Sequence, residues 1–307
     1  MSFRLDVQRK VSDSVVAAID GELESAIESL SVTDPARRPA AVHDARKHLK
    51  KARSALRLVR SALGTRTARH LNDELRAVAA TLSARRDADV LATTVESLHE
   101  RYAGQIPAST FEALRERLAQ QAPSAEVEGD NQTRVDRLID ARTELGATNF
   151  GRVKWSTVVA GIDRSYRRGR KGYASAAATE ELHEWRKRAK DLWYHHRLIK
   201  GAYPSVVGAY AKDAHELSDL LGDDHDLAVL RVAIVHQDPP AATAPVDLDP
   251  VVDLIDERRD ELQAQARSLA RRVYAENPKA FARRTRKYLR AFRDDRRAAN
   301  RVGPVAG

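Results

Sequence analysis

The sequence predicts an all-α fold assembled from two copies of one helical unit, and three observations carry that reading. Apolar residues recur at spacings of three and four, and no run alternates convincingly between apolar and polar, so helices fit and strands do not. A two-faced basic helix spanning 43–57 returns 140 positions later at 183–197. A second pair of segments, 82–91 and 221–230, recurs at an offset of 139 in the same order, as an internal duplication requires.

In the first basic helix, His43, Arg46, Lys47, Lys50, Arg53 and Arg57 fall in one arc at 100° per residue. Ala45, Leu49, Ala52, Leu56, Val59 and Leu63 fall opposite, so one face packs and the other presents cations. Like charges at i,i+4 repel, and Asp44 is the one acid nearby, off the arc. The arc therefore calls for an anion. In the second copy His183, Arg186, Lys187 and Lys190 match His43, Arg46, Lys47 and Lys50, while Arg197 and Lys200 match Arg57 and Arg60. Its packing face repeats as Trp185, Ala189, Leu192 and Ile199. Arg53 is matched by Trp193 and Ser54 by Tyr194, which makes the second stripe more aromatic. His196 lies on the apolar side and reads as a core histidine.

A chain of 307 residues can bury a substantial core. Its net charge of +9, with 41 arginines among 53 basic residues, points to an anionic partner: nucleic acid, acidic membrane or polyphosphate. The absence of cysteine excludes disulfides and thiolate chemistry. No signal-peptide core and no uncharged run long enough to span a bilayer are present, so the expectation is a soluble, cytoplasmic protein.

In order, helices are expected at 3–30, from Pro39 to Leu63 with Gly64 as cap, at 67–83 and from near Asp87, whose carboxylate with that of Asp89 suits a first turn. Helices at 108–121 and 131–145 follow, around a loop at 122–130, and 146–151 reads as the seam between copies. The second half repeats the course: a helix at 152–168 stopped by the glycine-punctuated 167–172, and the basic helix at 179–200 capped by Thr179. Helices at 205–221 and 226–236, a stiff loop at 237–245, and helices at 250–275 and 279–298 complete the chain. The units are divided at 148/149, giving 1–148 and 149–307 as two similar bundles about a pseudo-twofold axis.

His43 and His183 each fall within about a turn of an expected helix start, where unpaired N–H groups and the dipole favour an anion. From His43 to Arg57 the face runs about 21 Å at 1.5 Å per residue, a length suited to a linear polyanion. Arginine and lysine bind phosphoryl oxygens without a shaped pocket. The last helix adds Arg286, Lys287 and Arg290 as further candidates. Asp223, Asp224, His225 and Asp226 look like a metal cluster, and His43-Asp44 like the core of an HD phosphohydrolase. Neither motif is shared by the two copies: Arg85 and Arg86 stand where Asp224 and His225 would be, and Asp44 becomes Glu184. No metal, cofactor or catalytic residue is assigned, and helix capping accounts for the acids.

Two copies of His-x-x-Arg-Lys-x-x-Lys, each followed by an Asp-containing segment (86–91 and 225–230), resemble the CHAD family, the conserved histidine α-helical domain. The resemblance covers essentially the whole chain. It implies two four-helix bundles related by pseudo-twofold symmetry, with the histidines and basic residues on a central surface. It also implies non-catalytic binding of inorganic polyphosphate and association with polyphosphate granules, here in a stand-alone member. The rivals are a nucleic-acid-binding helical protein and a metal-dependent polyphosphate hydrolase. Against the first, no helix-turn-helix and no aromatic stacking platform are evident.

Overall fold

The computed structural model describes residues 3–82, 84–121, 131–235 and 246–302, without the side chains of 84–87, 121 and 299–302. The loops expected at 122–130 and 237–245, and the side chains of Arg85, Arg86 and Asp87, lie outside that description. Among the described residues the fold is all-α. Its helices are α1 (Val11–Leu30), α2 (Arg38–Leu63), α3 (Thr65–Thr81), α4 (Ala84–Arg101), α5 (Ala108–Gln121), α6 (Asn131–Ala147), α7 (Trp155–Ser175), α8 (Thr179–Leu198), α9 (Pro204–Val235), α10 (Asp249–Val273) and α11 (Pro278–Val302). A short 3₁₀ turn at Lys200–Ala202 joins α8 to α9.

Helices α1, α2, α3 and α6 pack as a ring of neighbours, α1 on α2, α2 on α3, α3 on α6 and α6 on α1. Their apolar faces meet in a core that continues without a break into α7, α8 and α11, through residues such as Leu58, Ile162, Trp185 and Phe281. The joint is the packing of α2 on both α7 and α8. A second core lies elsewhere, built from α4 and α5 with the C-terminal half of α9 and the N-terminal half of α10 around Phe111, Leu230 and Ile255. The segment 146–151 lies where α6 ends and the turn leading to α7 begins.

Four elements differ from the sequence reading, each for a physical reason. Residues 3–10 are not helical. Phe3 and Leu5 are both buried, and the Leu5 N–H donates to the Leu198 carbonyl at 2.8 Å, which ties a segment of bends and turns to the end of α8. Helix α7 runs through its glycines instead of stopping at them. At Gly172 a Cβ would lie 2.8 Å from that of Trp185, and at Gly169 it would collide with the Tyr274 ring, so the glycines admit aromatic neighbours. Helix α9 is one 32-residue helix rather than two, because no proline breaks it and burial runs on through the segment, with Leu217 and Leu221 facing the first core and Leu227, Leu230 and Ile234 the second. The cap of α8 is Ala178, with Thr179 inside the helix; the Glu181 carboxylate accepts the N–H groups of Ala177 and Ala178 at 2.8 and 3.2 Å. Gly64, by contrast, has φ 83° and ends α2 as expected.

The joint between α2 and α7 depends on Gly161, where a Cβ would fall on the Leu58 carbonyl. Neither backbone can yield without separating the helices. Gly161→Ala is therefore expected to destabilise the protein by about 1–3 kcal/mol despite its better helix propensity. Chemical denaturation should show this as a lower midpoint; an unchanged or higher midpoint would contradict so close an approach.

Candidate functional site

Helices α2 and α8 touch through polar side chains. Asp191 on α8 is 3% exposed. It accepts hydrogen bonds from Arg57 Nε at 3.0 Å and Nη2 at 2.5 Å, from Ser54 Oγ at 3.3 Å, and an ion pair from Arg188 at 3.2 Å. Burial alone would raise this carboxyl, yet Arg57, His195 and Arg188 outweigh it and hold it below the usual carboxylate range. Buried His195 completes the crossing, its Nε2 at 3.0 Å from the Ser54 carbonyl and Nδ1 at 3.0 Å from Ser165 Oγ. The two basic helices thus meet one turn beyond Lys50 and one residue beyond Lys190.

The predicted cations divide into three groups. Lys47 and Lys187, at matching positions, are exposed and each reaches an acid one turn back, Asp44 at 2.9 Å and Glu184 at 2.6 Å. These acids temper a stripe that the sequence shows as purely basic, and the lysines hold both carboxyls below their ordinary values. Lys50 and Lys190 are half-buried beside the crossing, with the Lys190 ammonium 6.0 Å from the Trp193 ring centroid.

Arg46, Arg53, Arg57 and Arg186 form the second group: the first three are tied into the fold by hydrogen bonds, and Arg186 is half-buried against α9. Arg46 is 9% exposed and donates to the Leu82 carbonyl at 2.6 Å, one of the acceptors freed where α3 ends. Arg186 reaches the matching place on α9, where a Cβ on Gly222 would come within 3.0 Å of its Nη2. The helix continues there and its carbonyls are committed, so Arg186 Nε has no partner among the described residues. Arg53 and Arg57 both donate to Asn72 Oδ1, at 3.2 and 3.4 Å. Burial, with Arg57 and Arg76 alongside, lowers the Arg53 guanidinium to about 10.

The remaining candidates lie apart from these. The Arg197 guanidinium sits 5.5 Å from the Trp193 ring and 5.7 Å from that of Phe3. With Lys200 it lines a groove of about 640 Å³ whose α9 wall carries Glu216, Asp219 and Asp223. On α11, which packs against α7 and the 3₁₀ turn, Arg286, Lys287 and Arg290 are exposed.

The histidines lie just past the first turn, since α2 starts at Arg38 and α8 at Thr179, so the unpaired N–H groups belong to earlier residues. His43 is exposed. His183 is half-buried against His225 of α9, with ring centroids 4.1 Å apart, and neither Nδ1 has a partner among the described residues. Burial, then His225, Lys187 and Arg186, lowers the His183 imidazole to about 4. Burial likewise lowers His195 to about 4 and His196, bonded through Nδ1 to the Leu192 carbonyl, to about 3. The unfolded chain protonates these groups from pH 6.5 downward while the native fold holds them neutral. The stability they confer is therefore complete above pH 6.5 and declines toward pH 4. Thermal midpoints should fall steadily over that window; a flat profile would contradict the burial of these rings.

The Asp223–Asp226 segment is interior to α9 and caps nothing. Asp224 is buried and accepts from Arg259 Nε at 3.1 Å and Gln263 Nε2 at 2.9 Å, binding α9 to α10. Asp191 and Asn72 are the site residues that sequence reasoning passed over, and His225, weighed there as a metal ligand, instead packs against His183. Asp191 carried a signal: Lys51 stands at the matching position, so the copies hold opposite charges there. Lys51 pairs with the buried Glu22 of α1 at 3.0 Å, so each charge is matched within its own surroundings.

A family model, the CHAD domain, matches residues 21–235, which include both basic helices and their crossing. The chain belongs to the CHAD domain family. No curated protein and no solved structure matches it. Within this CHAD chain the matched region ends with α9; α10 and α11 then complete both cores. No described helix is long and apolar enough to cross a membrane.

Proposed function

We propose that this CHAD protein binds inorganic polyphosphate without turning it over, through the exposed cations of α2 and α8, and associates with polyphosphate granules. The observation that carries the reading is the contact of the two matching basic helices at Asp191, with Lys47 and Lys50 on one and Lys187 and Lys190 on the other. A flexible chain of phosphates can bend to follow cations that two helices present, whereas bending a stiff duplex to do so costs deformation energy. Family membership supports the same ligand. The carboxylates nearest to a metal-like grouping support binding over hydrolysis, since Asp224 is committed to Arg259 and Gln263.

Long-chain polyphosphate should displace duplex DNA at equal phosphate concentration and physiological salt, with affinity falling steeply as salt rises and counterions are released. Displacement of polyphosphate by DNA would overturn the reading in favour of nucleic acid. With magnesium or manganese present, orthophosphate release should not exceed a protein-free control. Steady release abolished by Asp226→Ala in a folded protein would establish a hydrolase.

A further inference from the structure

A second basic groove lies away from α2 and α8, where α1 and α7 begin and α11 nears its end. Its volume is about 690 Å³, and its cations are Arg9, Lys10, Lys154, Arg293, Arg296 and Arg297. Among the described residues no acid lines it, unlike the groove beside Trp193. Among the described residues Arg9 alone of the six lies within ion-pair distance of a carboxylate, that of Asp6 at 3.6 Å. Such a concentration of like charge in one concavity raises the local potential and attracts a compact anion of several charges.

Two features add to it. Lys10 to Ser12 and Lys154 to Ser156 line the groove, so the unpaired N–H ends of α1 and α7 both open onto it. Arg286, Arg290, Arg293 and Arg297, at i, i+4, i+7 and i+11, share one face of α11 and lead into it. The aromatic wall is Trp155, whose ring already carries the Arg293 guanidinium at 5.9 Å from its centroid. That arrangement spends the π-face on a cation and favours phosphoryl oxygens over a nucleobase.

We propose that this groove is a second anion site, which takes a short inorganic oligophosphate such as tripolyphosphate. It stands independently of the polyphosphate reading for α2 and α8. The test is calorimetry of the full chain with tripolyphosphate at physiological salt, alongside two double variants. Lys154→Glu with Arg296→Glu should weaken binding about a hundredfold, from two charge-assisted contacts turned repulsive. With Lys47→Glu and Lys187→Glu as common background, so that the site on α2 and α8 does not contribute, one tripolyphosphate per chain should still bind, since none of the groove's charges is changed. Lys154→Gln with Arg296→Gln gives a milder loss of about tenfold and serves if reversal disturbs folding. Absence of binding in that background, or insensitivity of the remaining binding to Lys154 and Arg296, would overturn the site. ATP binding more tightly than tripolyphosphate would overturn the choice of an inorganic chain.

Discussion

Reversing Lys47 and Lys187 together to glutamate is expected to reduce long-chain polyphosphate affinity by about a hundredfold or more. Both lysines are exposed at matching places on α2 and α8, and each is partly neutralised by one acid a turn away. In the variant that acid faces a second acid, so each helix changes from attracting phosphate to repelling it. The slope of log affinity against log salt should also become shallower by about two contacts' worth. Direct titration at several salt concentrations checks both. An unchanged affinity would place the polyanion elsewhere on the molecule. A loss of affinity without a change of slope would point to a structural effect.

Asp191→Ala should be among the most destabilising single changes in the protein. It leaves Arg57 and Arg188 facing each other at the crossing of α2 and α8 with Ser54 unpaired and no counter-charge between them. Removing one partner of a buried ion pair costs about 3–5 kcal/mol. For a chain of this size that corresponds to a fall of about 5–8 °C in the thermal midpoint. Asp191→Asn keeps the shape and some hydrogen bonds and should fall less far. A midpoint for Asp191→Ala within a degree or two of the parent would mean that the crossing contributes little to holding the halves together.

The pattern of apolar residues was enough to place most helices because each buries one continuous stripe, and the boundaries of α2, α5 and α10 follow from it closely. It misled where a local signal was overridden by packing. Gly169 and Gly172 read as a stop, yet they are places where Tyr274 and Trp185 need room. Asp223 to Asp226 read as a helix start, yet Asp224 answers Arg259 on a helix far along the chain. The candidate site was legible as a repeated motif, but the motif does not separate exposed cations from structural ones. Arg46 and Lys47 are neighbours in it; one is buried on the end of α3 and the other is exposed. That division depends on which carbonyls α3 leaves unpaired, and the 3.6-residue period carries no record of it.

The central claim is that α2 and α8 act on one anion, and stoichiometry with a short polyphosphate tests it most directly. Calorimetry should be run on the parent, Lys50→Glu, Lys190→Glu and the double variant, with Lys154→Glu/Arg296→Glu as common background so that the groove at α11 does not contribute. The account predicts one chain per protein, weakened by either single change and largely lost in the double. Two independent chains per protein, each removed by a change in one helix alone, would contradict it.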